Sequence, residues 1–469
     1  MMRLRYLVPV LGFTSLSLLA AACTTDGSVG DGDGGAGGEA TTPAGGGADA
    51  GGEGGEGGAA CVENGAGTLV IEVAGLPDGV APDISIEGPD SLNATELGAL
   101  ENVAAGTYTV VGNRVFEADD TVRIVYDATV TTPSFCLNDG GSHTIKVEYT
   151  AIPSSNKLWM PTGLDPELVG FSSADIATEG TVDATVGIHG PGTKSLAFDH
   201  DGNLWALGAG DHALVRFSAK DLGATGTRAP DIEIDLSEVD CIVAHSNIAF
   251  DPIGNLWISS TCGGEVFRLA AADLTSSGAK TADVAITGLA DANDVGNAEG
   301  LAFDRDGNLW IGGGPALRRF DAFRLDESTD EPADLELTVK DDITGLTGNN
   351  LAFDKAGNLW ATDFLGNVLF EVAESALGQT GAKEAEANVS ITIGVLALLN
   401  QPAFDEGNGL WLGLEMGKFG RFSPEQLSTS GTNINPDLII GNEGITSELP
   451  FTFFPAPEGL PLYHSLPEP

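Results

Sequence analysis

The sequence predicts an all-β chain, a β-propeller preceded by a small β-sandwich, and three observations carry that prediction. A block recurs along the second half: "SLAFDHDGNLWALG" from Ser195, "NIAFDPIGNLWISS" from Asn247, "GLAFDRDGNLWIGG" from Gly300, "NLAFDKAGNLWATD" from Asn350 and "QPAFDEGNGLWLGL" from Gln401. Its phenylalanines, Phe198, Phe250, Phe303, Phe353 and Phe404, are spaced by 52, 53, 50 and 51 residues. Each period holds several short strand signals joined by turn residues. A fixed period near 50 built from short strands is the signature of propeller blades.

The chain of 469 residues begins outside any fold. Arg3 and Arg5 precede the apolar run "YLVPVLGFTSLSLLAAAC", the pattern of an export signal. The run resembles a bacterial lipoprotein signal with "LAAAC" as the lipobox. The resemblance implies that residues 1–22 are removed, that Cys23 is lipidated, and that the protein sits in the bacterial cell envelope with membrane lipid as its first partner. Residues 23–60 follow as a Gly-rich acidic tether with almost nothing to bury. A coil of that length spans about 35 Å on average.

Charge excludes one class of partner. With 68 acidic against 21 basic residues, the net charge is -47, which opposes the basic footprint that nucleic acid requires. Cysteine usage fits export. Setting Cys23 aside leaves four, and their two clusters suggest the disulfides Cys61–Cys136 and Cys241–Cys262.

Residues 61–152 alternate apolar and polar in the strand period, as in "GTLVIEVAGL", "GTYTVVGNRVF" and "GSHTIKVEYT". "ENVAAGTYTVVG" resembles the turn-strand of small prealbumin-like or carbohydrate-binding-like sandwiches. The expected role is that of a spacer.

Residues 153–469 are the propeller. In each unit "LAFD" is a first strand, "DGN" a tight turn, and "LWIGG" the returning second strand. Segments such as "LVRFSAKDL" supply a third. A Ser/Thr-Gly loop then leads to a fourth, "DIEI" or "DVAI". The block's Phe and Trp belong to the core between blades, and its Asp and Asn cap the turn. The ends set the count. "NKLWMPTGLDPELVGFSSADI" has no first strand before it, and "LPFTFFPAPEGLPLY" supplies one, with Phe453 in the Phe register. Closing the ring with both ends leaves no open seam. Six blades follow, or seven if "GLPLY" acts as a second strand.

Function should sit where the chain enters each first strand, at one mouth of the channel. Four positions before the Phe stand Lys194, Ser246, Glu299, Asn349, Asn400 and Leu449; one position later stand Ser195, Asn247, Gly300, Asn350, Gln401 and Pro450. The repeats from Leu158 to Tyr463 resemble NHL-type repeats, including streptogramin lyase-like proteins, and gluconolactonase-like (senescence-marker-type) six-bladed enzymes. The second resemblance implies a Ca²⁺ or Mg²⁺ held by Glu299, in "EGLAFD", with Asn349 and Asn400 on the next two blades. The first implies a histidine base, for which His245 is best placed. Lys194, His245, Asn247, Asn350 and Gln401 are the candidate ligand contacts. One carboxylate beside Lys194 is a weak basis for cation chemistry, so the sequence favours a binding or interaction module for a small molecule, cation or protein. A metal-dependent lactonase or lyase is the alternative.

Overall fold

Each repeat folds into one sheet because short apolar runs, strands of two to six residues, are joined by Gly-containing turns. The structure, a computed structural model, describes residues 61–457 apart from 63, 95–97, 120, 163–166, 209–212, 238–246, 261–263, 290–297, 341–344, 364–366, 396–400, 416, 443 and 445–449. Cys23, the tether, Cys241, Cys262 and "GLPLY", on which a seventh blade rests, lie outside the described residues.

The chain is a β-propeller. Among the described residues six sheets form its ring. Blades 1 to 5 lie in residues 193–235, 248–286, 301–340, 350–393 and 403–441. Blade 6 combines 157–189 with the C-terminal strand Thr452–Phe454, which pairs antiparallel with Lys157–Pro161. Phe453 lies opposite Leu158 there, as Phe198 lies opposite Leu204 in blade 1. The two ends of the ring therefore meet in one sheet, in the expected register.

The aromatic residues pack blade against blade. Trp159, Trp205, Trp257, Trp310 and Trp360 each meet the Phe of the next blade edge-on, with ring centroids 6.1 to 6.3 Å apart. Such pairs add about 0.5–1.5 kcal/mol each beyond area burial.

Every block Trp also has a polar tether. Asp251 Oδ2 accepts from Trp257 Nε1 (3.0 Å) and Asn255 Nδ2 (2.8 Å), while Oδ1 accepts the amides of Ile253 and Asn255. Asn255 Oδ1 in turn accepts the Ala271 amide. Blades 1, 3 and 4 repeat this bracket through Asp199, Asp304 and Asp354. Blade 5 has Gly409 in place of the Asn, and the Arg421 guanidinium fills the space, pairing with Asp405. Blade 6 has Phe454 in place of the Asp, and Trp159 donates instead to the Ser154 carbonyl.

The third strands are shorter than expected. "LVRF" is strand, but the following "AKDLG" turns as a 3₁₀ helix from Ala219 to Gly223. The Ser/Thr-Gly loops are not mere connectors. Gly226–Thr227 pairs in parallel with the outer strand of blade 6, Gly278–Ala279 with that of blade 1, Gly381–Glu386 with that of blade 3, Gly431–Ile434 with that of blade 4 and Gly180–Thr181 with that of blade 5. A single bridge from Thr329 serves blade 2. Each blade thus covers the outer edge of its predecessor, all round the ring. The hydroxyls of Thr225, Ser277, Ser328 and Ser430 accept amides of the strands they cover.

Residues 61–152 form a five-stranded and a four-stranded sheet on one shared apolar core. Cys61 and Cys136 are disulfide-bonded, as expected, with Cα atoms 5.6 Å apart. This unit also packs against the propeller, a contact the spacer expectation did not include. Val122 shares a core cluster with Leu158 and Phe453, and Arg114 donates to the His200 carbonyl on blade 1.

Candidate functional site

The innermost strands surround an axial cavity of ≈ 180 Å³. The block's alanines, Ala197, Ala249, Ala302, Ala352 and Ala403, and Thr452 in blade 6 line it. A larger residue at each of these places would close the channel. Apolar strands run down from one mouth, and the residues just before them are polar. That is where the sequence placed its candidates.

Three of those candidates belong to one polar belt. Ser195 Oγ donates to Asn247 Oδ1 at 3.0 Å and accepts the Ile248 amide at 3.1 Å. Asn247 Nδ2 donates to Asn350 Oδ1 at 3.5 Å. That contact runs from blade 2 to blade 4, past blade 3. Gly300 makes it possible, because blade 3 offers no side chain at the belt. A Cβ on Gly300 would lie 2.5 Å from the Asn349 carbonyl oxygen and 2.7 Å from the Asn350 Cα. Blade 4 therefore approaches blade 3 closely enough for the Gly300 amide to donate to the Asn349 carbonyl.

Gln401 continues the belt on blade 5. Its Oε1 is buried and finds no donor among the described residues. The Thr193 hydroxyl at the entrance to blade 1 is likewise buried without a partner. Most buried polar atoms are satisfied, so two such atoms at one mouth stand out. Pro450 supplies no side-chain polar group on blade 6, so the belt is an open arc.

The metal candidates form a second feature. Asn349 Nδ2 donates to Glu299 Oε2 at 2.7 Å, so these two predicted residues do meet. The Glu299 carbonyl also accepts from Ser259 Oγ, whose hydroxyl accepts the Asn247 amide and links this pair to the belt. A hard cation takes six or more oxygen ligands. Here the carboxylate faces the amide's nitrogen, and the described residues contain no group of three or more His, Cys, Asp or Glu able to hold a metal. Glu299 and Asn349 as placed are bonded to each other, and their expected third partner, Asn400, lies outside the described residues. Asn400, His245 and Ser246 lie outside the described residues. Lys194 is described only as part of the strand Thr193–Phe198.

Two members of the site were not foreseen. Ser259 lies on a second strand, in "LWISS", and Thr362 in "LWATD" matches it on blade 4, each hydroxyl accepting the amide of its blade's belt asparagine. A hydroxyl at that position in two of the five copies was the available signal. Thr193 precedes the register by one residue, and a bulge between Thr193 and Ser195 brings it to the mouth.

No family model matches the sequence, and no curated protein matches it. Among solved structures the chain is similar to virginiamycin B lyase from Staphylococcus aureus, at 14% identity over 56% of this chain and 71% of that one, with a TM-score of 0.33. A streptogramin B lyase structure aligns at 14% identity over 71% of this chain and 95% of that one, with a TM-score of 0.34. A protein of unknown function from Bacteroides caccae aligns at 10% identity over 63% and 99%, with a TM-score of 0.39. These likenesses lie far below the level at which a residue's role transfers.

Proposed function

We propose that the chain is an exported, lipid-anchored binding protein whose propeller mouth takes a small neutral molecule. Cys23 carries the anchor, membrane lipid is its first partner, and residues 24–60 hold the folded part off the surface. Gln401 carries the binding reading. An unsatisfied buried acceptor costs about 1–3 kcal/mol. Gln401 lines the axial cavity and its buried Oε1 bears that cost, at the end of a belt whose other amides are engaged. A ligand O–H or N–H donated to it completes the arc. The belt side chains Ser195, Asn247, Asn350 and Gln401 are neutral, so they supply no counter-charge to an ionic ligand. Glu299, one residue outward on blade 3, disfavours anions.

The lactonase- or lyase-like alternative draws on Glu299 beside Asn349, a carboxylate at the entrance to blade 3. It also needs His245 or Asn400 as a partner.

A panel of small neutral alcohols and amides, screened by ligand-observed NMR against the Cys23→Ser protein, tests the binding reading. Bound members should be lost or weakened about tenfold in Gln401→Met, which keeps the size and removes the acceptor; one bonded charge-neutral contact is worth roughly 1 kcal/mol or more. Equal binding by both proteins would place the site elsewhere.

A further inference from the structure

We infer that the 61–152 unit is a clamp that holds the propeller ring shut at its closing blade. Blade 6 is where the ring joins its own ends, and its C-terminal member is only three residues long, Thr452–Phe454. It meets its neighbour at three register positions. A strand this short is weakly held by ladder bonds alone, yet the whole ring depends on it.

The 61–152 unit reaches that strand and both flanking blades. On the strand itself, Phe454 forms a small core cluster with Val125 and Ile152, and Phe453 belongs to the same core cluster as Val122. Just beyond it, Arg123 Nη1 reaches the Ala456 carbonyl at 3.5 Å. The Arg123 carbonyl accepts the Asn156 amide, so the same residue touches the chain on both sides of the seam.

On blade 1, Arg114 bridges Asp127 of its own unit to the His200 carbonyl and the Asp201 carboxylate. On blade 5, the Thr121 carbonyl accepts the Glu406 amide, and Arg123 Nε lies 4.0 Å from Glu406 Oε2. Glu406 also pairs with Lys355 of blade 4 at 3.0 Å, which carries the connection one blade further. The contacts thus straddle the seam. Apolar packing supplies adhesion, and the two arginines fix position against the turns on either side.

This inference is independent of what the mouth binds. Hydrogen exchange on the full chain carrying Arg114→Ala and Arg123→Ala tests it. Amides of 451–454 and 157–160 should exchange at least tenfold faster than in the parent. Those of 301–311, in blade 3 across the ring, serve as the internal reference and should not change. Unchanged exchange at 451–454, or equal acceleration at 301–311, would overturn the clamp. If the double variant does not fold, Glu406→Gln removes only the propeller's carboxylate. It should then show a smaller acceleration confined to the same segments, and a uniform or absent response would again overturn the inference.

Discussion

Asp251→Asn isolates the bracket that ties each blade's Trp to its turn. The wild-type carboxylate accepts four hydrogen bonds, two on each oxygen. The amide's one oxygen can keep the amides of Ile253 and Asn255. Its NH₂ then faces Trp257 Nε1 and Asn255 Nδ2, which are both donors. Asn255 cannot flip to relieve this without losing the Ala271 amide it accepts. Two bonds to a charged acceptor are lost at about 1.5–3 kcal/mol each, so the expected destabilisation is about 3–6 kcal/mol. Trp257 is fully buried, so water does not replace the lost acceptor. Urea unfolding followed by circular dichroism gives the difference. Asp231→Asn is the control: it removes a partly exposed pair with Arg216 (2.7 Å) and should cost about 1 kcal/mol or less. A loss below about 1 kcal/mol for Asp251→Asn would show that packing alone seats the Trp, and the bracket argument would fail.

Three further outcomes are expected. Glu371 stands where blades 1, 2, 3 and 5 carry Arg216, Arg268, Arg319 and Arg421, and burial pushes its carboxyl pKa up, opposed by the Asn388 amide. A raised folded pKa means the charged form is penalised in the fold. Glu371→Gln should therefore stabilise at neutral pH, and the gain should vanish once pH falls below the ordinary glutamate pKa of about 4.3; a gain that is constant with pH would contradict this cause. Truncation after residue 450 removes Phe451, Phe453 and Phe454 from the core and should yield insoluble or grossly destabilised protein, since deleting one buried aromatic side chain costs about 3–5 kcal/mol. A soluble truncation melting with the parent would refute closure through blade 6. Cys23→Ser should abolish lipid labelling and move the protein to the soluble fraction, and a variant that stays with membranes would place the anchor elsewhere.

Much of the ring was legible because its core imposes a period. Phe198 and its equivalents recur every 50 or so residues since each fills the same gap beside a neighbouring Trp, and Phe453 could be aligned through that constraint. Cys61 and Cys136 were legible from their clustering. The edge-covering role of the Ser/Thr-Gly loops was not, because the pairing runs between neighbouring repeats. Thr225 looks like a turn residue until blade 6 is beside it. The docking of 61–152 was equally hidden, since Arg114 and Arg123 carry no pattern that names His200 or Glu406. At the mouth, the polar register of Asn247, Asn350 and Gln401 was visible, whereas the bonding was not. The Asn247–Asn350 contact depends on Gly300 letting blade 4 close in, a matter of shape rather than residue type.

The stability of Gln401→Met, measured without ligand, tests most directly whether the mouth is built for binding. If Gln401 Oε1 is an acceptor reserved for a ligand, removing it relieves a buried unsatisfied group, and the variant should be more stable than the parent by about 1 kcal/mol while losing the bound members of the alcohol and amide panel. A variant less stable than the parent that still binds the panel would show that Gln401 serves the fold, and would contradict the assignment of the mouth.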